Sequence, residues 1–387
     1  MTVWKTAASL ALSLFLLFCF PFSSLAEEKE TAAESQLSDY DFSDIEKFLS
    51  GQEGWEDWPL SFSELMRLLI NGEGKEAADM AVSALGHVLF SEIKNNGTLL
   101  LQIFALGLTG AVFANISGIF TTNQVSETGF FVTYLLIFSC LGISFFASVT
   151  LAGETMEKIL EFLRLLMPSY FLAVAFCGGS ASSLVLYETM FFTVSVVEWL
   201  FARLLLPLIK IYLLFSLAGH IAKEDMLSRL TSLIAAIVNW GMKTVVGVVL
   251  GLNLLQGMLM PYVDAVKNST MEKAIEAIPG IGKGAGIAVQ LMLGSGILIK
   301  NTMGAAAAVI LLALAAVPVI KLAVLAFMYQ CAAAALEPVC DRRITDCVGA
   351  AAEGHKLLVK MLAYSAALFI IVIAMACSAT NAVYFSR

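Results

Sequence analysis

Charged residues are scarce in this chain: 14% of its 387 residues are Asp, Glu, Lys or Arg, and 59% are hydrophobic. A soluble domain carries about 25% charged residues. At this length so few charges cannot cover a solvated surface. Several segments of about 20 apolar residues are long enough to cross a bilayer core of about 30 Å. The composition therefore excludes an ordinary soluble protein and predicts an all-α polytopic membrane protein.

Metal ligands and catalytic motifs are also scarce. The seven cysteines form no CxxC pair, and the three histidines, His87, His220 and His355, are far apart in the sequence. A metal site needs more ligands at closer spacing. The chain contains no HExxH, no GxSxG and no Ser/His/Asp set, and the histidines are assigned to loops or interfacial stretches. We therefore expect no metal, no cofactor and no enzymatic activity.

Basic residues are depleted near the amino terminus. Residues 27–92 contain 16 acidic and 4 basic residues, a balance of −12, so that the rest of the chain carries +4. Nucleic-acid binding needs clustered Lys and Arg. The acidic region argues against a nucleic-acid partner, and the lipid bilayer is the first partner that we expect.

The chain begins with the features of a secretory signal. Lys5 precedes an apolar core at 7–22, and Ser24-Leu25-Ala26 places small residues at the −3 and −1 positions. This pattern predicts a signal peptide over residues 1–26, cleaved after Ala26. The alternative is an uncleaved first helix. With a working signal, the following segment lies outside the cytoplasm.

Residues 27–95 form the predicted extracytoplasmic acidic segment. Its first part, to about residue 55, has the composition of a solvated tail. Residues 60–93 show helical apolar spacing, which predicts two amphipathic helices interrupted at 71–74. Their apolar faces pack either on the membrane domain or on a partner protein, and the spacing alone leaves both open.

Residues 96–387 form the predicted transmembrane domain. Backbone polar groups in hydrocarbon must be satisfied within the segment, so its apolar runs are expected to be helices. About eight runs are long enough to count: 98–120, 129–152, 169–187, 189–219, 230–262, 285–299, 303–335 and 358–380.

Two parts of this domain resemble each other. Thr155-Met156-Glu157-Lys158 recurs as Thr270-Met271-Glu272-Lys273, and we call these two blocks the TMEK segments. Three further matches follow at offsets of 111 to 113: Pro168 with Pro279, Pro207-Leu208-Ile209-Lys210 with Pro318-Val319-Ile320-Lys321, and Gly241-Met242-Lys243 with Gly354-His355-Lys356. The matches predict an internal duplication.

Each copy is predicted to hold one span, a short amphipathic TMEK helix and two further spans. The copies cover about 129–222 and 235–335, and 358–380 repeats the leading span. An odd number of spans makes the second copy inverted, as in many transporters. That parity changes if the TMEK segments cross or re-enter the membrane.

Ionisable residues inside apolar runs are candidate functional residues. Their other explanation is snorkelling to an interface or pairing within the bundle. Glu198 and Arg203 are close enough to meet if the helix bends, and Lys210 and Lys321 occupy matched repeat positions. The candidates are Glu188, Glu198, Arg203, Lys210, Lys243, Lys300 and Lys321.

Glycines and prolines in the spans are candidate helix breaks or packing positions. Broken segments at matching places in a repeat suggest a central binding site. Close packing through small residues explains the same glycines. The positions are Gly178, Gly179, Gly294, Gly296, Pro207 and Pro318.

The whole chain resembles the stage III sporulation protein AE family of endospore-forming bacteria. The resemblance rests on the signal peptide, the acidic segment, the repeated blocks and Ile278-Pro279-Gly280-Ile281-Gly282. It implies a multi-pass protein of the mother-cell membrane around the forespore. It also implies a channel-like complex with proteins of the same operon, including an ATPase and ring-forming membrane proteins. The family has no established catalytic residues to carry over.

Three functions remain open at this point. The first is a membrane-embedded subunit of a multiprotein channel needed for late forespore development. The second is a secondary transporter with an inverted-repeat core, and the third is a membrane scaffold that anchors partner proteins.

Overall fold

A computed structural model describes residues 40–52, 61–71, 86, 90–94, 96–116, 123–176, 180–221, 227–276 and 282–385. The predicted signal peptide, Gly178, Gly179 and the loop at 277–281 lie outside the described residues. All regular structure in the described ranges is helical. Five of these helices are long and apolar enough to cross a membrane. The prediction of a membrane-embedded, all-helical protein is confirmed at this level.

Two short helices precede the bundle: α1, Ser43–Ser50, and α2, Phe62–Ile70. Ser61 caps α2, because its hydroxyl accepts a hydrogen bond from the backbone N–H of Glu64 at 3.2 Å. Glu46 joins the two helices by accepting hydrogen bonds from the N–H and hydroxyl of Ser63 at 2.9 and 2.8 Å.

The apolar faces of α1 and α2 are buried against the rest of the chain. Ile45 and Leu49 of α1 and Phe62, Leu65 and Met66 of α2 are buried. Phe48 packs on Phe162, with ring centroids 6.5 Å apart. For α2, the structure selects the protein's own long helices from the two surfaces that amphipathic spacing allowed. Helix α1 corrects the prediction of a solvated tail to about residue 55, because Ile45 and Leu49 find an apolar surface on the long helices.

The bundle consists of longer helices. They are α3, Gly97–Ile116; α4, Asn123–Phe176; α5, Ser180–Leu200; α6, Leu206–Gly219; α7, Ser228–Glu276; α8, Gly282–Leu336; and α9, Arg342–Phe385. A five-residue π-helical turn, Phe201–Leu205, joins α5 to α6. Pro207 accounts for this turn, because its ring nitrogen cannot donate to the carbonyl of Arg203 and its ring crowds that carbonyl.

The eight predicted runs merge into fewer helices. The runs 285–299 and 303–335 lie on the single helix α8, and 129–152 continues into the start of 169–187 along α4. Pro168 and Pro318 are accommodated inside continuous helices. The count of eight spans is therefore not confirmed. At 1.5 Å per residue, α4 and α8 are each about 80 Å long, more than twice a bilayer core.

The first TMEK segment is not a separate helix, as the spacing had predicted, but lies in the middle of α4. When α5, the π-helical turn and α6 are counted as one continuous helix, the matched blocks fall two helices apart rather than three: the TMEK segments on α4 and α7, the Pro-x-Ile-Lys blocks on α6 and α8. Matched helices separated by one intervening helix run in the same direction. The duplication remains a prediction, and its inverted form does not follow from this helix order.

Candidate functional site

Contacts between helices place several charged residues at one level of the bundle. A Cβ added to Gly153 would lie 3.5 Å from Leu206, and one added to Gly241 would lie 3.1 Å from Leu205, so α4, α6 and α7 meet there. Tyr329 contacts Ser144, and Gly304 approaches Tyr170, which sets α8 antiparallel to α4 and brings Lys321 to the level of Gly153. We call this level the charged belt.

One ion pair belongs to the charged belt, and a second lies about 16 Å from it along α4. Lys321 Nζ lies 3.4 Å from Glu92 Oε1, which attaches the stretch before α3 to α8. Arg164 Nη2 lies 3.9 Å from Glu198 Oε2, joining α4 to α5. The sequence had suggested that Glu198 meets Arg203. The structure corrects this, because the carboxylate of Glu198 turns toward α4.

Three cations of the charged belt form no ion pair within the described chain. Arg203 lies in the π-helical turn, Lys210 one turn into α6, and Lys243 on α7 beside the contact at Gly241. Arg203 and Lys243 are exposed and Lys210 is partly buried. The matched residues Lys210 and Lys321 therefore differ in environment, since only Lys321 has a carboxylate partner.

A first buried polar group joins α4, α8 and α9, and we call Ser144, Ser148, Tyr329 and His355 the histidine cluster. His355 is fully buried, and its Nδ1 donates to the carbonyl of Ala351 at 2.8 Å. Its Nε2 lies 3.0 Å from Ser148 Oγ. The Tyr329 hydroxyl donates to Ser144 Oγ.

In the histidine cluster, the hydroxyl of Ser148 has one hydrogen and two possible acceptors. Ser148 Oγ lies 3.0 Å from both His355 Nε2 and the carbonyl of Ser144. Its single hydrogen serves only one of these acceptors when the imidazole is neutral. Protonation at Nε2 would supply the second hydrogen. The aromatic rings of Phe145 and Tyr329 enclose the imidazole, with centroids 5.2 and 5.0 Å away.

A second buried polar group, the lysine cluster, joins the same three helices through Tyr170, Lys300 and Cys377. Lys300 is fully buried, and its Nζ donates to the carbonyl of Cys377 at 3.4 Å. The Tyr170 hydroxyl lies 3.1 Å from Cys377 Sγ. The helices approach closely here because Gly304 has no side chain: a Cβ at this position would overlap Cys377 Sγ.

The two clusters lie in register on α4 and α9. Ser148 faces His355 and Tyr170 faces Cys377, and both pairs are 207 residues apart in the chain. The two helices are therefore parallel, and the clusters are separated by about 33 Å along them at 1.5 Å per residue. Buried polar contacts thus fix the register of α4 against α9 at two distant points.

The remaining predicted positions belong to neither the charged belt nor the buried polar clusters. Glu188 is exposed near the start of α5, and Gly296 is buried in α8. Gly294 also lies within α8, and no break occurs at either glycine. Pro318 lies inside α8, and only Pro207 accompanies a change in helix type. The glycines at 294 and 296 therefore do not mark a broken helix.

The sequence assignment missed the histidine cluster. His355 was placed in a loop or interfacial stretch, whereas it is the buried centre of a helix contact. A sequence signal was available, because Gly354-His355-Lys356 matches Gly241-Met242-Lys243. In the structure Gly354 is also a contact position, since a Cβ there would lie 2.9 Å from Phe145. Lys300 was flagged as an ionisable residue, but its full burial could not be read from hydropathy.

Thiols and carboxylates do not combine into a metal site within the described residues. The described cysteines 140, 331, 340, 347 and 377 are thiols rather than disulfides. Cys340 lies between α8 and α9, and its Sγ donates to the carbonyl of Gly107 at 3.2 Å. Burial and the neighbouring Asp341 carboxylate raise the pKa of the Cys340 thiol above its usual value. A protonated thiol at neutral pH is a poor nucleophile.

The long apolar helices and the buried polar contacts define a membrane-embedded helical protein. Residues 60–380 match the family model described as stage III sporulation protein AE, and the chain belongs to this family. It is 24% identical to stage III sporulation protein AE of Bacillus subtilis (strain 168) over 367 residues, which cover 92% of each chain. No solved structure matches the chain.

Proposed function

We propose that this protein is a multi-pass subunit of a channel-like complex between mother cell and forespore, needed for late forespore development. The observation that carries the proposal is the family match, which extends over α2 and nearly the whole bundle. The proposed location is the mother-cell membrane around the forespore, with the amino-terminal segment outside the cytoplasm. We expect a structural or conducting role rather than an enzymatic one.

The arrangement of α1 and α2 supports contact with partner proteins. Their apolar residues are buried on the bundle, so their acidic side chains face outward: Asp41, Asp44 and Glu64 are exposed. Hydrogen bonds from the hydroxyl and N–H of Ser43 lower the pKa of Asp41, which keeps its carboxylate charged. We propose that this acidic face meets the other proteins of the operon, among them an ATPase and ring-forming membrane proteins.

Deletion and complementation in a sporulating host test the main proposal. Loss of the protein should block late forespore gene expression while engulfment proceeds, and the wild-type chain should restore it. Normal spores from a clean deletion would contradict the proposal.

A matched pair of variants tests the acidic face. Asp41→Asn/Asp44→Asn/Glu64→Gln should reduce co-purification of the operon proteins. Lys47→Gln/Arg67→Gln alters exposed charges on the same two helices and should not reduce it. If both variants retain every partner, the acidic face is not the contact surface.

A transport role is the second candidate, and the lysine cluster favours it. Lys300 is fully buried among apolar helices, and the neighbouring Asn301 Oδ1 is buried without a hydrogen-bond partner among the described residues. Buried ionisable groups in membrane helices often mark ion or substrate pathways. Purified protein in liposomes should then move a solute along an ion gradient, and Lys300→Met should slow that movement. Lys210→Ala and Lys321→Ala test the matched positions in the same assay.

A further inference from the structure

Helix α9 carries a row of polar positions along the outer face of its first half. From 344 to 359 only positions 346, 349, 353 and 356 are not buried, and they are spaced three or four residues apart. Positions 342 and 360 continue this spacing, and at 3.6 residues per turn all six lie within about 80° of the helix circumference. We call the row the α9 stripe, which consists of Arg342, Asp346, Gly349, Glu353, Lys356 and Lys360.

The α9 stripe lies level with stretches of other helices that contain no charge. Helix α9 is parallel to α4 with an offset of 207 residues, so the stripe is level with residues 135–153. Residues 127–153 of α4 contain no charged residue, and neither do residues 322–336 of α8, which pass the same level because Tyr329 contacts Ser144. The stretch on α4 is about 40 Å long and the stripe about 27 Å, compared with a hydrocarbon core of about 30 Å.

At this level the neighbouring helices present apolar side chains to the outside. Leu136 and Ile143 of α4 and Phe327 of α8 are exposed. Exposed apolar surfaces of this kind are typical of contact with lipid. The exposed apolar side chains and the charge-free stretches together place this level of the bundle in the hydrocarbon core.

The charges of the α9 stripe are not all explained by side chains that reach a membrane surface. Long Lys and Arg side chains snorkel from the ends of a span. The side chain of Glu353 is shorter, and this residue lies about 16 Å from one end of the stripe and about 10 Å from the other. Its carboxylate therefore stays at the depth of the hydrocarbon core, where charged groups face the bundle interior or a water-filled space.

The ion pairs of the α9 stripe do not face the interior of their own bundle. Lys356 Nζ lies 2.6 Å from Glu353 Oε1, and Arg342 Nε lies 3.7 Å from Asp346 Oδ2. The four side chains of these pairs are between 40 and 92% exposed. Hydrocarbon around such pairs would remove the hydration that their exposed atoms require.

Gly349 leaves open space near the middle of the α9 stripe. A Cβ added there would meet no described atom within 4 Å. At Gly354, on the inner side of the same helix, a Cβ would lie 2.9 Å from Phe145 and 3.2 Å from Leu213. The inner side of α9 is therefore closely packed, whereas the stripe borders a space that the described chain does not fill.

We propose that the α9 stripe lines a water-filled path across the membrane, along which small hydrophilic solutes pass. The inference rests on the proposed channel-like complex and assigns one wall of its path to α9. Another subunit of the complex closes the opposite side. Three basic and two acidic side chains make this wall polar with little net charge, so the path admits solutes of either sign.

Cysteine accessibility tests whether water reaches the α9 stripe, with a matched control at the same depth. Gly349→Cys is compared with Ile143→Cys, because position 349 is level with position 142 of α4 and Ile143 is 74% exposed. Each is placed in the full chain with the seven native cysteines replaced by Ala, and membrane vesicles of both orientations are prepared from sporulating cells. A charged, membrane-impermeant methanethiosulfonate should label Gly349→Cys and leave Ile143→Cys unlabelled, because the reactive thiolate does not form in hydrocarbon.

Three results of the labelling experiment overturn the proposal. They are an unlabelled Gly349→Cys, equal labelling of the two variants, and a disulfide between two copies of Gly349→Cys, which would make the stripe an interface between copies. The cysteine-free chain is first checked for complementation of the deletion. Where it fails, the same comparison is made in the native chain, as labelling above that of the parent.

A bulky side chain at Gly349 tests whether solutes pass along the α9 stripe. Gly349→Trp should abolish late forespore gene expression by filling the path, whereas Gly349→Ala and the lipid-facing Ile143→Trp should retain it at equal amounts of membrane-inserted protein. Full function of Gly349→Trp overturns the proposal. A deletion phenotype without labelling at position 349 overturns the role of the stripe alone. Labelling together with normal spores from the deletion overturns the channel function, and the path with it.

Discussion

Basic side chains occur in two different settings in this bundle. Lys300 and His355 lie in the contacts among α4, α8 and α9, where both are fully buried and each bonds to a backbone carbonyl. Arg203 and Lys243 lie on the outer surface of the π-helical turn and α7, exposed and without a described ion pair. Residues of the first kind lie where helices fit together, whereas those of the second kind face the surroundings of the bundle.

Hydropathy does not distinguish the two settings. Each is one polar residue in an apolar run, and a sequence window measures only the run. A buried ammonium must find hydrogen-bond acceptors within the protein. An exposed one finds them in water or lipid headgroups. The energetic consequences of substitution should therefore differ widely.

Charge reversal should separate the two settings most clearly. Lys300→Glu places a carboxylate beside the carbonyl of Cys377, two acceptors without a hydrogen between them, in a fully buried position. We expect a loss of about 3–5 kcal/mol in unfolding free energy. Lys243→Glu on the surface should cost less than about 0.5 kcal/mol. Thermal unfolding in detergent measures both, and similar shifts for the two variants would remove the distinction.

Glycine substitutions test the close helix contacts at the two polar clusters. Gly304→Ala forces a Cβ into Cys377 Sγ, and Gly354→Ala forces one against the ring of Phe145. Each should destabilise the protein by about 1–3 kcal/mol. Gly247→Ala, which has no neighbouring atom within 4 Å, should stabilise it by about 0.5–1 kcal/mol. Opposite signs in the same unfolding assay are the expected outcome, and uniform destabilisation would contradict it.

A double-mutant cycle tests the histidine cluster. His355→Ala and Ser148→Ala each remove one side of the 3.0 Å contact between Nε2 and Oγ. We expect a coupling free energy of about 1 kcal/mol in unfolding. His355→Ala/Thr150→Ala provides the control, because Thr150 is exposed and bonds only to the carbonyl of Phe146. Additivity in both cycles would show that Ser148 and His355 act independently.

The smallest expected effect concerns the matched lysines. Lys321→Gln removes the 3.4 Å pair with Glu92, whose lysine is 39% exposed, and should cost no more than about 0.5 kcal/mol. Lys210→Gln removes no described pair and should be neutral within error. A difference that shrinks at high salt supports the ion pair. Equal effects at every salt concentration would mean that the pair contributes nothing.

The sequence predicted the helical membrane class and the amphipathic helix α2 well, because both depend on local composition and periodicity, whereas α1 lies in a stretch predicted to be a solvated tail. It also flagged Lys300 and the block around Gly354-His355-Lys356. The predicted number of separate spans is not confirmed, because charged segments such as the first TMEK segment read as boundaries between spans. In the structure that segment stays helical, with Met156 and Ile159 packed inward and Glu154 and Glu157 exposed.

The sequence did not predict which side chains on different helices contact each other. Glu198 was paired with Arg203 on spacing, yet it meets Arg164 from α4. Ser148 and His355 are 207 residues apart, and nothing local links them. Such pairs depend on which helices are neighbours and in what register, which the packing of many apolar side chains decides together.

By itself the sequence determined that this chain is apolar, helical and acidic at its amino-terminal end, because these properties add up residue by residue. Only the tertiary structure decided which cations are buried and which are exposed. The exposure of a side chain depends on the helices that surround it, and the neighbours of Lys300 and Lys243 lie far away in the chain. Hydropathy is a local sum, whereas burial is a property of the packed bundle.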